Sequence, residues 1–290
     1  MRYGTGVVMV LVAGILWSFQ ALMIRQIQDA GPWAVLAWRS LALLPVLLIF
    51  MAWRTGGSPW PVIRKAGLAG VLGGIGLVAA MGGAILAFQT TTVANAAFLF
   101  AAAPFLAAVL GRIVLGEVVA SRTWGAIALA LVGIFVMVGD GLAAGALLGN
   151  VAALISALGF AAFSVALRWR RVEDSLPASI LGAGFAAMAG ALATVTLGQP
   201  LIVPAMDLMW CVLMGIGTLA GGMVLYTFGS RVVPSAELTL LSNTEVLLAP
   251  FWVWLVLGET ASPATFVGGG VVLVAILFNA YSGVRRLALA

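Results

Sequence analysis

Glu245 has the clearest capacity for chemistry in this sequence. It lies inside a long apolar run, residues 236–259 (AELTLLSNTEVLLAPFWVWLVLGE), directly after Ser242-Asn243-Thr244. An ionised carboxylate at mid-bilayer costs roughly 2.5–3.5 kcal/mol on insertion scales, so such a group must face a bundle interior or water. At 100° per residue, Thr239, Ser242, Asn243 and Glu245 occupy a sector of roughly 160°. That stripe can face a cavity while the rest of the helix packs. Two readings of Glu245 stand: a site for a substrate ammonium or a proton, or a buried carboxyl bonded to a neighbouring helix.

Arg39 is the second charge inside an apolar run. It lies about six residues, roughly 10 Å, from the end of its run. It either snorkels to the interface, or it holds a substrate carboxylate or pairs with Glu245. Trp17, Phe160 and Phe163 offer large faces to aromatic solutes or ammonium groups, and otherwise serve as packing. Tyr226 and Asn95 are further polar candidates. Trp53, Trp60 and Trp124 fit an interfacial belt, and Arg25 and Asp29 fit the end of a run.

Other chemistries lack their residues. The chain contains no histidine and one cysteine, Cys211, which removes histidine relays, catalytic triads and an intrachain disulfide. No metal-ligand cluster, Walker motif or cofactor-binding motif is present. Gly73-Gly74-Ile75-Gly76 and Gly215-Ile216-Gly217 resemble fragments of a dinucleotide loop, but they lie within apolar runs and not after a strand. Gly73, Gly74, Gly215 and Gly217 are better read as sites of close helix approach or bending, and as hinges.

The elements that must position these residues follow from composition. Of 290 residues, 63% are hydrophobic and 8% charged, which places the chain in the membrane class. The net charge of +5 reads as loop arginines obeying membrane topology and not as a nucleic-acid surface. About 20 apolar residues cross the hydrocarbon core. Ten such runs are predicted, at 4–24, 33–53, 66–88, 93–113, 122–140, 147–168, 177–197, 207–229, 235–257 and 263–282. They are continuous and not alternating, which argues against a barrel. Twelve loop arginines and lysines then fall on one side and Arg25 on the other, predicting both termini in the cytoplasm. The first run serves as an uncleaved insertion signal.

A shift of 142 residues lays Gly116-Glu117 on Gly258-Glu259, Ala94 on Ala236 and Gly73 on Gly215. With a small adjustment Trp17-Ser18 answers Phe160-Ala161. The chain is thus two five-span units, 1–141 and 145–290, and an odd number of spans forces them to insert upside down relative to each other. Inverted repeats of this kind are a transporter architecture with the site near the midplane. The fourth span carries Ala97, Phe98, Phe100, Ala101 and Ala103 along the stretch that matches the polar stripe of the ninth. A pocket polar on one wall and apolar on the other suits an amphipathic solute such as an α-amino acid.

Ten spans in two halves, each with a fourth helix ending in Gly-Glu, resemble the EamA family of the drug/metabolite transporter superfamily over nearly the whole chain. Leu16-Trp17-Ser18 with Ile24-Arg25, and Phe160-Ala161-Ala162-Phe163, resemble the first and sixth spans of its YddG-type aromatic amino-acid exporters. In the ninth span Glu245 is followed by Val246, where the family often has proline, and the proline comes at Pro250; Pro104 keeps the fourth-span proline. The resemblance implies a cavity lined by spans 1, 3, 4, 6, 8 and 9.

The resulting expectation is an all-α integral membrane protein of the bacterial inner membrane. It exports amino acids, aromatic ones included, by alternating access, with lipid and the small-molecule substrate as its partners and no cofactor, metal or nucleic acid. Export of other metabolites or drug-like cations, a channel and a membrane lipid enzyme are the rivals.

Overall fold

The computed structural model describes residues 2–287 apart from 144–145, 173, 235–236, 239–240 and 242–243, and the side chains at 140–143 and 280–287 also lie outside the description. Every regular element among the described residues is helical. The elements are α1 (Tyr3–Arg25), α2 (Pro32–Thr55), the short α3 (Trp60–Lys65), α4 (Gly67–Thr90), α5 (Val93–Phe100), α6 (Ala103–Leu115), α7 (Ser121–Ala143), α8 (Leu147–Trp169) and α9 (Leu176–Thr196). There follow α10 (Ala205–Gly229), α11 (Thr244–Leu257) and α12 (Pro263–Leu287). Eight helices are long and apolar enough to cross a membrane, α5 and α6 counting together as Val93–Leu115; Thr244–Leu257 and Pro263–Asn279 are shorter apolar helices.

Local chemistry accounts for the interruptions. The fourth run breaks at Ala101-Ala102 and restarts with Pro104 in the first turn of α6, where a missing N–H leaves no intrahelical bond unmade. In α10 the middle turns, Leu213–Ala220, are π-helical. Such loosened turns recur at functional positions. The Gly-Glu endings share one conformation: Gly116 and Gly258 both have φ 69°, the left-handed geometry that closes a helix and that glycine adopts without strain.

The packing follows one pattern written twice. Helix α4 lies against α8 and α9, while α10 lies against α1 and α2; α6 meets α8, while α11 meets α1. Helices α2 with α9, and α7 with α12, pair across the exchange. Each half therefore buries its third and fourth runs on the first helix of the other half. The contacts are close because small residues line them. A Cβ on Gly76 would sit 2.8 Å from the Gly159 carbonyl oxygen, and one on Gly190 would sit 2.7 Å from the Ala37 nitrogen. With no water to expel between helices in lipid, such close packing is the source of adhesion.

The outward faces carry large apolar side chains, among them Ile49, Phe135, Leu192, Phe266 and Val267, all more than half exposed. On a soluble protein a surface of this kind would aggregate. In a bilayer it is solvated by lipid.

Candidate functional site

Helix α1 and the run ending in α11 lie parallel and in register. Three contacts set this: the Tyr3 hydroxyl with Glu237, the Trp252 indole N–H donating to Ser18 Oγ at 2.9 Å, and the Arg25–Glu259 ion pair at 2.8 Å. All three join residues 234 apart in sequence. Phe19 stacks on Trp252 with ring centroids 4.9 Å apart and planes at 14°. The register puts Glu245 level with Leu11, near the middle of α1. On its own helix Glu245 shares a face with Ala249 and Trp252, four and seven residues on, and that face meets α1. Glu245 is half-buried, and no hydrogen bond or ion pair joins its carboxylate to another described residue. Thr239, Ser242 and Asn243 lie outside the described residues.

The aromatic candidates divide into two groups. Trp17 is half-buried in the centre of a face whose other members, Val10, Ala13, Ala21 and Ile24, are 0–1% exposed. Its ring lies 5.6 Å from that of Tyr226 and against Gly222, where a Cβ would approach its Nε1 to 2.2 Å. The indole N–H has no partner among the described residues. Phe160 occupies the matching place on α8. It is 51% exposed, yet Ala153, Ser156, Ala157 and Leu167, within about 60° of it on the helix, are buried. The lipid face of α8 is the opposite one, with Val151, Ile155 and Leu158. Phe160 therefore opens on interior space. Phe163, beside it at 5.9 Å, is instead buried against Gly73.

The remaining candidates sit in packed surroundings. Asn95 and Asn150 are buried, and the Asn95 amide donates to the Asn150 side-chain oxygen and, at 3.1 Å, to Thr91 Oγ1. The other oxygen and amino group of this pair have no partner among the described residues. Phe98 is buried against Gly269 of α12, and Phe100 meets Phe88 edge to face. Arg39 is 3% exposed, so it does not snorkel to an aqueous interface. Its guanidinium donates to Gln20 Oε1 at 3.3 Å and to the Met81 carbonyl at 3.5 Å, and its Nε has no partner among the described residues. Gln20 is nine residues past Leu11, roughly 14 Å along α1. Arg39 thus sits on a different level from Glu245, and no ion pair joins them. Gly73 and Gly74 lie in the unbroken α4, tight against Phe163 and Phe185, whereas Gly215 and Gly217 lie in the π-helical turns of α10.

Two features were not singled out from the sequence. Arg25, expected only at an interface, pairs with Glu259 and also donates to the Thr91 carbonyl at 2.7 Å, while Glu259 accepts the Val93 N–H at 2.7 Å. The repeated Gly-Glu ending carried that signal. Asp207, buried, accepts the backbone N–H groups of Gln28, Asp29 and Ala30 at 3.3, 2.9 and 2.8 Å and so ties α10 to the turn after α1. Among the described residues no cluster of histidine, cysteine or acidic side chains is suited to a metal.

The family model of the EamA-like transporter family matches the chain twice, over residues 4–139 and 144–281. A solved crystal structure, 21% identical, superposes with a TM-score of 0.63 and covers 96% of this chain and 97% of its own, a likeness in fold. No curated protein matches the chain.

Proposed function

The chain belongs to the EamA-like transporter family, and from that premise we propose that it exports amino acids, aromatic ones among them, by alternating access. Membership makes it a multi-pass membrane transporter of small molecules. The finer reading is ours: ten spans in two inverted five-span units, 1–141 and 145–290, with both termini in the cytoplasm of a bacterium and the substrate crossing its inner membrane.

One observation carries this reading. Trp17 and Phe160 stand at repeat-related positions, each the least enclosed member of an otherwise buried helix face. Two rings offered from equivalent places on the two halves suit a flat apolar side chain. Glu245, on the α11 face that meets α1 and without a bonded partner among the described residues, supplies a counter-charge for an α-ammonium group. Tyr226 completes the wall beside Trp17. Asn95, Phe98 and Phe100 support the wall from packed positions, Ser242 and Asn243 extend the polar stripe, and Arg39 holds a carboxylate at a second level. The glycine runs at 73–76 and 215–217 absorb the rocking of the halves.

Counterflow uptake into proteoliposomes, with a panel of labelled amino acids, tests the proposal. Saturable exchange of phenylalanine or tryptophan is expected; no exchange of any amino acid would overturn it. A drug-like cation as substrate is the second reading, favoured by the same combination of aromatic faces and an acidic group. Exchange of a quaternary ammonium without exchange of amino acids would select it.

A further inference from the structure

We propose that Arg25–Glu259 and Arg168–Glu117 are two copies of one latch, set at opposite ends of the molecule and released in alternation. Arg168 follows Arg25 by 143 residues and Glu259 follows Glu117 by 142, so both members of each pair are repeat equivalents. The pairs close at the same separation, 2.8 Å in each case. Each glutamate follows a glycine with φ 69°, which ends its helix and turns the carboxylate back toward the arginine on the first helix of the other half. Each latch therefore ties one half of the protein to the other.

Their positions are opposite. Thr91, which the Arg25 latch engages, packs against Gly149 at the start of α8. Arg168 stands at the end of α8, 19 residues and roughly 28 Å away.

The two copies differ in what they hold. At the Arg25 end three elements meet: Arg25 also donates to the Thr91 carbonyl and Glu259 accepts the Val93 N–H, so the turn between α4 and α5 is clamped as well. At the Arg168 end the second donation goes to the Ala107 carbonyl, within the same run as Glu117. The repeat equivalent of Thr91 is Val233, and among the described residues of the turn after α10 none bonds to Arg168 or Glu117. Exposure follows the same division: the side chains of Arg25 and Glu259 are 22% exposed, those of Arg168 and Glu117 44% and 38%. Among the described residues the Arg25 end joins three elements and the Arg168 end two, and position 235, the repeat equivalent of Val93, lies outside them. Sealing one end while loosening the other is what a carrier needs, because a path open at both ends would leak. This inference rests on the alternating-access reading above, though not on the identity of the substrate.

The test reads access without transport. Phe160→Cys in a Cys211→Ala background is labelled with a membrane-impermeant maleimide, in vesicles of both orientations. Arg25→Gln and, independently, Glu259→Gln are expected to raise labelling from the Arg25 end by about fivefold, the population shift that a partly exposed ion pair controls. Arg168→Gln is expected to raise it from the other end. The exchanged pair Arg25→Glu with Glu259→Arg should return the rate toward that of the parent. Equal labelling in all variants, or changes of one direction from both latches, would overturn the proposal. Absence of amino-acid counterflow by the parent protein, alongside the expected labelling, would instead refute the substrate and leave the latches standing.

Discussion

The Trp252 indole N–H donates to Ser18 Oγ at 2.9 Å across an interval of 234 residues, the same interval that separates Arg25 from Glu259. Ser18 also donates to the Ile15 carbonyl at 2.7 Å, so it relays a tryptophan on one half to the backbone of the other. This contact, the stacked Phe19 ring and the ion pair one turn and three residues beyond hold α1 and α11 in one register. The level of Glu245 against α1 depends on this register.

Replacing Trp252 by phenylalanine keeps the stacked ring and deletes the N–H. Thermal unfolding in detergent should report a loss of about 1 kcal/mol, the net value of one hydrogen bond. Ser18→Ala should cost a similar amount, and the double variant less than the sum. Additive losses would show that the two side chains do not act together.

Glu245→Gln separates a working carboxylate from a packing one. The side chain has no bonded partner among the described residues, so neutralising it breaks no ion pair and removes a desolvation cost. The unfolding midpoint is expected to hold or rise. Counterflow should fall by about tenfold or more, the loss of one charge-assisted contact to an ammonium group. A lower midpoint with intact exchange would assign Glu245 to structure.

Gly222→Ala tests the Trp17 wall. The added methyl would meet the indole at 2.2 Å, so the ring must move. We expect a raised KM for aromatic amino acids with a smaller change for alanine, measured as counterflow. Trp17→Ala should follow the same order. Equal effects on both substrates would argue that Trp17 only packs.

The Asn95–Asn150 pair should show the asymmetry of buried polar groups. Asn150→Leu leaves the buried Asn95 amide with Thr91 Oγ1 as its one acceptor among the described residues and should cost about 1–3 kcal/mol. Asn95→Leu with Asn150→Leu, which leaves neither amide facing a leucine and only the Thr91 hydroxyl without its donor, should cost less than Asn150→Leu alone when followed by thermal unfolding. A double variant weaker than either single one would mean that the pair contributes more than its unpaired members lose.

At Gly258 the constraint is the backbone. Its φ of 69° and the open space around the missing Cβ mean that Gly258→Asn should be tolerated, because asparagine enters this region at little cost. Gly258→Val should destabilise by more than about 1 kcal/mol and weaken the Arg25 latch. Equal unfolding midpoints for the two variants would show that the left-handed turn is not required.

Much of this was legible in the chain because the bilayer imposes periodless, 20-residue apolar runs and leaves charges for the loops. The first eight predicted runs begin and end within three residues of helices. The repeat is readable from Gly116-Glu117 and Gly258-Glu259, since glycine closes a helix in the left-handed conformation without strain and a charge beside it has cause to recur. Trp17 and Phe160 correspond once the 142-residue shift is adjusted by one residue.

The sequence by itself determined that the chain lives in a membrane, where its helices lie and which residues correspond between its halves, because each of these depends on local composition and spacing. It left the partners open. That Phe163 packs while Phe160 opens on interior space, and that Arg39 turns to Gln20 and not to Glu245, was decided by tertiary structure. So was the pairing of Arg25, an apparent interface residue, with Glu259. A helix fixes the direction of a side chain relative to its own axis, and only the packing of one helix on another decides what lies in that direction.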